Sequence, residues 1–139
     1  MEFIRIGAEH FQELTALQLA YKAEIGEDIP SEAQLERLLD AIQQERILFY
    51  GCICDNQLAA CCSVCVGFST FQYENSGVFE DFYILPEHRH KGIARKLAAY
   101  VWQQSGVRSM TVGCADCDVE MYQSIGFRIP LGNLLAYEE

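Results

Sequence analysis

A chain of 139 residues, half of them apolar and 22% charged, can bury a single hydrophobic core and is too apolar to stay unfolded. Its formal charge of −10 argues against general nucleic-acid binding, which relies on Lys and Arg neutralising phosphates, and leaves room for a cationic substrate, although acidic excess also serves solubility. No apolar stretch approaches the ~18 to 20 residues of a membrane helix and the opening MEFIRIG has no leader pattern, so one soluble, cytoplasmic domain over residues 1–139 is expected, with no nucleic-acid or membrane partner.

In chain order, Phe3 to Ile6 alternates weakly, as a short strand does. Phe11, Leu14, Leu17, Gln18 and Tyr21 then recur at helical spacing; Ile25 extends the stripe and Gly26 stops it. Ser31 to Gln34 reads as a capping box after Pro30, opening a second helix with Leu35, Leu38, Leu39 and Ile42 on one face. Between the helices, Glu24, Glu27 and Asp28 gather acid in a loop, where they could meet a cationic amine or simply face water.

From Ile47 the period becomes that of a sheet. Ile47 to Cys54 forms one strand, Asp55 and Asn56 supply a tight turn, and Gln57 to Phe68 is apolar on both faces, as a central strand is. The short turn predicts an antiparallel hairpin. Ser69 to Gly77 is polar and aromatic and reads as a loop leading to a strand over Val78 to Leu85. After Gly92 a helix carries Ile93, Leu97 and Val101 on one stripe, flanked by Ala94 and Ala98, and Gly106 ends it. Arg108 to Gly113 is another strand, Asp116 to Ser124 a short helix stopped by Gly126, and Phe127 onward extended chain broken by Pro130 and Gly132. The order β-α-α-β-β-β-α-β-α-β describes an α/β (α+β) domain whose mixed sheet begins antiparallel and becomes parallel around the long helix.

Seven cysteines form an odd set, which does not suit a complete disulfide framework. Most lie in apolar strand runs and are expected to act as small buried hydrophobes. Cys114 and Cys117 make a C-x-x-C without a second pair at zinc-finger spacing, so a metal or redox role is the weaker reading.

The chain is organised around Phe79 to Leu97, FEDFYILPEHRHKGIARKL. A strand breaks at Pro86, passes through a basic turn and resumes as a helix near Gly92, whose first free N–H groups and positive dipole end favour an anion. Arg89, His90 and Lys91 stand beside those amides, and five of the ten Lys and Arg residues fall between Arg89 and Arg108. The turn is neither a P-loop, lacking G-K-[ST], nor a dinucleotide fingerprint, lacking G-x-G-x-x-G.

What the turn contains is Arg89-x-x-Gly92-x-Ala94. This matches [QR]-x-x-G-x-[GA], and here the chain resembles the GNAT superfamily of acetyl-CoA-dependent N-acetyltransferases. The resemblance covers nearly the whole chain: Glu80 to Pro86 is similar to the family's fourth strand, and Met121 to Phe127 to its Y-x-x-x-G-F segment. It implies the GNAT fold, a mixed, mostly antiparallel twisted sheet of about six to seven strands flanked by about four helices and splayed between strands 4 and 5. It implies acetyl-CoA as cosubstrate and no metal. By the resemblance, amides along Arg89, His90, Lys91, Gly92, Ile93 and Ala94 wrap the pyrophosphate, and backbone groups of Phe82 and Ile84 pair with the pantetheine arm as with an added strand.

Acyl transfer from a thioester to an amine needs a base, because an ammonium of pKa near ~10.4 is no nucleophile. The resemblance points to Glu80, where the diamine and polyamine branch of the family carries an acidic residue; Asp81 would face the other side of a regular strand. It points to Tyr122 as the acid that protonates the departing thiolate. Read without the family, Glu80 lies at a solvated strand face and Tyr122 only packs. Two positions depart from the family pattern: His90 stands where glycine is usual, which suits an imidazole only if the backbone avoids left-handed angles, and Ala115 replaces a frequent asparagine. Phe68 to Phe71 and Glu80 to Phe82 look most like the diamine branch, so a small cationic amine is the expected acceptor, attacking directly in a ternary complex of a monomer or homodimer. Aminoglycosides, amino acids, peptide N-termini and a non-catalytic acyl-CoA-binding module stay open.

Overall fold

The Ser31 hydroxyl accepts the Gln34 N–H at 3.2 Å while the Gln34 side chain accepts the Ser31 N–H at 2.8 Å, so the capping box read in the sequence starts the second helix. The computed structural model describes all 139 residues. They form β1 (Glu2–Ile6), α1 (Phe11–Glu24), α2 (Glu32–Gln43), β2 (Leu48–Cys54), β3 (Gln57–Ser69), β4 (Glu74–Ile84), α3 (Ile93–Gln104), β5 (Ser109–Val112) and α4 (Val119–Ile125), with single 3-10 turns at Ala8–His10, Pro86–His88 and Asp116–Asp118.

One sheet runs in the order β1-β2-β3-β4-β5, antiparallel except for the parallel β4–β5 pair. Asp55 and Asn56 both take positive φ, 51° and 61°, the handedness a two-residue hairpin turn requires. β3 is central, and Leu58 to Val64 is buried without a break. On one face Cys62, Val64 and Phe79 meet Ile93, Leu97 and Val101 of α3; on the other Leu58, Cys61 and Tyr83 meet Leu14 and Leu17 of α1 and Ile42 of α2. Two layers of helix thus cover a single mixed sheet, as expected, and no helix is long and apolar enough to cross a membrane.

The sheet has five strands rather than six to seven. After Gly126 there is no further strand; the last backbone hydrogen bond runs from the Arg128 N–H to Gly126 O, and every residue from Arg128 to Glu139 is exposed. Pro130 removes a ladder donor there, and Gly132 turns the backbone to φ 95°. In the other direction, the loop assigned to Ser69 to Gly77 is mostly strand: Glu74 to Gly77 belong to β4 and pair back to Ser69, Phe68, Gly67 and Val66. This hairpin runs beyond the helices. Cys65 is therefore exposed although it lies in an apolar run, as are Cys114 and Cys117, whereas Cys52, Cys61 and Cys62 are buried. Burial pushes the Cys61 and Cys62 thiols up, so they stay protonated and pack as hydrophobes. Cys114 and Cys117 belong to no cluster of side chains able to hold a metal ion.

Candidate active site

β5 pairs only with Ser76 to Phe79 of β4. From Glu80 onward that side of β4 has no strand partner, which is the expected splay. At the same point the pairing with β3 slips: Ser63 stands opposite Glu80 and Cys61 opposite Tyr83, so Asp81 and Phe82 share the single position facing Cys62. Two residues against one is a β-bulge. Asp81 absorbs it with φ 54°, a left-handed conformation that a short polar side chain tolerates better than most.

The bulge corrects the expectation that Asp81 faces away from Glu80. Its Oδ2 accepts a hydrogen bond from Ser63 Oγ at 2.7 Å, and Ser63 lies two residues from Cys61 on the face covered by α1. Glu80 and Asp81 therefore share that face. Phe79 and Phe82 both turn to the face covered by α3, where their rings meet at 5.7 Å.

A cleft of about 540 Å³ lies beside the splay. Tyr21 and Glu24 of α1, Phe82 to Ile84 of β4, the basic turn, the first turn of α3 and Tyr122 of α4 line it. α3 begins after Gly92, whose φ of 83° is left-handed and whose position offers no side-chain cap to the amides that follow. A Cβ built on Gly92 would meet nothing within 4 Å, so the space before those amides is open. Uncapped amides at a helix N-terminus form a donor set that fits a pyrophosphate. His90 is left-handed as well, at φ 62°, so the condition set for a residue other than glycine is not met and the turn carries strain there.

Arg89 does not reach toward those amides. Its Nη2 donates to both Glu24 carboxylate oxygens at 2.9 and 3.0 Å, its Nε donates to Ile84 O at 2.8 Å, and its guanidinium lies 5.4 Å from the Tyr83 ring centre. An arm laid along β4 would share the Ile84 carbonyl with Arg89. The pairing also changes the acidic loop, because Glu24 is committed to Arg89 and Glu27 to Lys22 at 3.0 Å. Of the three acids seen there, Asp28 alone has no ion pair.

Tyr122 stands on α4 with its ring 6.2 Å from Phe82 and 6.0 Å from Phe127, while Phe127 lies 5.1 Å from Phe79. This aromatic stack fixes a seven-residue helix that has no fully buried side chain of its own. Burial, with smaller contributions from Tyr21 and Asp118, pushes the Tyr122 phenol up to about 12. It therefore holds its proton throughout the physiological range.

The cleft brings together Phe82, Ile84, Arg89, His90, Gly92, Ile93, Ala94 and Tyr122; Glu80 and Lys91 are exposed and do not line it. Sequence reasoning did not single out Tyr21, seen only on a helical stripe, or Tyr83, seen only as part of a strand. Tyr21 sits on the helical stripe, and its phenol is raised by burial and then by the Asp81 carboxylate, so it lies between the cleft and the bulge. Nothing in the local sequence separates it from the packing residues Leu14 and Leu17.

Comparison with known proteins identifies the family and supports the fold. Residues 37–129 match a family model described as an acetyltransferase (GNAT) domain. A probable acetyltransferase of known structure superposes with a TM-score of 0.83 at 20% identity, covering 100% of both chains. An aminoglycoside acetyltransferase from an uncultured soil metagenomic sample, solved with sisomicin, gives 0.81 at 14% identity over 99% of this chain and 95% of its own. A predicted acetyltransferase from Clostridium acetobutylicum, solved with acetyl-CoA, gives 0.75 at 12% identity over 99% and 95%. At these identities the superpositions speak to the fold. No curated protein sequence matches.

Proposed function

The chain belongs to the acetyltransferase (GNAT) family, and from that premise we propose that it moves an acetyl group from acetyl-CoA to a primary amine of a small, cationic substrate by direct attack in a ternary complex. One observation carries the reading: the uncapped first turn of α3, the unpartnered edge of β4 and the Tyr122 hydroxyl meet in a single cleft. The α3 amides, with Lys91 beside them, hold the pyrophosphate, and the backbone at Phe82 and Ile84 aligns the pantetheine arm. Acetyl-CoA supplies the activated acyl group.

The chain's own residues manage the protons. A carboxylate of the β4 bulge, where the family resemblance points to Glu80, takes one proton from the ammonium and so frees the nitrogen lone pair. As the C–N bond forms and the C–S bond breaks, Tyr122 donates its phenolic proton to the sulfur. The surplus proton on the new amide nitrogen restores Tyr122, and the carboxylate releases its own to solvent. A neutral phenol suits this role, and its raised pKa keeps it neutral.

On the acceptor side, Glu80 and Asp81 face the α1 surface near Tyr21, an acidic and aromatic setting that supports a cationic amine. The resemblance to the diamine branch makes polyamines, and the aminoglycoside enzyme among the structural neighbours makes aminoglycosides, the first acceptors to try. The test is thiol release from acetyl-CoA across polyamines, aminoglycosides, amino acids and peptides, with the acetylated product identified by mass. Turnover lost in Tyr122→Phe supports the reading. Coenzyme A binding without turnover of any amine would leave only an acyl-CoA-binding module.

A further inference from the structure

Three polar or charged residues are buried in the whole chain, and Ser63 is the one with no exposure at all. A hydroxyl in that position is costly unless it is paired, and its partner is the Asp81 carboxylate at 2.7 Å. Asp81 reaches it because the backbone accepts both a bulge and a left-handed φ at one residue, features that gather at functional sites and that a plain strand would not contain. Only Oδ2 is engaged; Oδ1 has no hydrogen-bond partner. Asp81, like Glu80, does not itself line the cleft, but it adjoins two residues that do. It precedes Phe82, whose ring rests on Tyr122, and its charge raises the phenol of Tyr21, which lines the cleft. Glu80 is exposed and makes no side-chain hydrogen bond, so nothing fixes its carboxylate.

Resting on the acetyl-transfer reading, we propose that Asp81, positioned by Ser63, is the group that takes the proton from the acceptor ammonium, and that Glu80 is not. The N–H proton passes to Oδ1, the freed lone pair forms the C–N bond, the C–S bond breaks, and the sulfur takes its proton from Tyr122. The surplus proton on the acylated nitrogen returns to the Tyr122 phenolate, and Asp81 loses its own proton to solvent, which resets the site. Ser63 acts through Asp81, fixing the direction of Oδ1 while spending its own hydrogen on Oδ2.

The geometry makes the test clean, because Asn and Gly both accept a left-handed φ and should fold. With acetyl-CoA and 1,4-diaminobutane or sisomicin as acceptor, Asp81→Asn is expected to lower kcat about 100-fold or more while leaving the acetyl-CoA Kd nearly unchanged. Added formate should restore part of kcat in Asp81→Gly, where it can take the missing carboxylate's place, and not in Asp81→Asn. Ser63→Ala should lose about 10-fold in kcat and Ser63→Thr should regain it. A purely structural role for Asp81 predicts no rescue by formate. Full kcat in Asp81→Asn, or the loss appearing in Glu80→Gln instead, overturns the assignment and leaves acetyl transfer standing. If the parent protein binds acetyl-CoA and acetylates neither amine nor any other in the panel, the transfer reading falls and the assignment falls with it.

Discussion

Arg89 and Glu24, 65 positions apart in the chain, are joined across the cleft by two hydrogen bonds from one guanidinium nitrogen, at 2.9 and 3.0 Å. Their side chains are 35% and 45% exposed, so solvent screens the pair and its share of stability is under about 1 kcal/mol. On the proposed function its larger effect is on binding: a carboxylate beside the α3 amides would repel an incoming pyrophosphate and occupy a cation that would otherwise neutralise it.

Glu24→Gln is accordingly expected to tighten acetyl-CoA binding several-fold at low ionic strength, with the gain shrinking as salt rises. Isothermal titration at two salt concentrations reads both effects. Weaker binding would show instead that Glu24 orients Arg89 for the cofactor.

The capping box at Ser31 and the turn at Asp55-Asn56 were legible because each is decided by its own few residues. The α3 stripe and the glycine that opens α3 were legible for the same reason. The bulge was not. Glu80 and Asp81 alternate like any strand pair, and only the register against Ser63 and Cys61 forces both onto one face. Arg89 likewise reads as a free cation until the fold brings Glu24 to it, and Cys65 as a buried hydrophobe until the hairpin proves longer than the helices that cover it. Local chemistry was readable in the sequence, and pairing across it was not.

His90 holds a left-handed backbone that costs an ordinary residue roughly 1 to 2 kcal/mol, while glycine would add back roughly 0.5 to 1 kcal/mol of unfolded-state entropy. His90→Gly is therefore expected to raise stability by up to about 1.5 kcal/mol in urea unfolding. Acetyl-CoA affinity should be retained, because the cradle is made of amides. A large loss of affinity would mean that the imidazole itself touches phosphate.

The segment from Ile129 to Glu139 carries Ile129, Leu131, Leu134, Leu135 and Tyr137 at 74% exposure or more. Its side chains add little to the core; Leu134 merely approaches Gly113, at 3.9 Å from a Cβ built there. Ending the chain at Arg128 should cost less than about 1 kcal/mol in urea unfolding, since surface changes away from buried features stay small. A larger loss would place the tail in an interface that the isolated chain does not form.

Tyr122→Phe separates chemistry from packing. The phenyl ring keeps the contacts with Phe82 and Phe127, so the melting temperature should barely move. If the hydroxyl protonates the thiolate, kcat should fall about 100-fold or more, within the range that general acids contribute, while the acetyl-CoA Kd stays constant. The pH dependence gives an independent check. The acid form is the active one, and burial raises the phenol from 10.0 to about 12, so activity is lost only as pH rises through the folded value. The same shift links to stability: its contribution is complete below the unfolded value of 10.0 and disappears as pH climbs toward about 12. The kcat profile of the parent should therefore stay flat on its alkaline side up to about pH 10. A fall in kcat beginning near pH 8 or 9, absent from Tyr122→Phe, would mean that Tyr122 ionises far below the value its burial dictates and cannot be a neutral acid held in reserve.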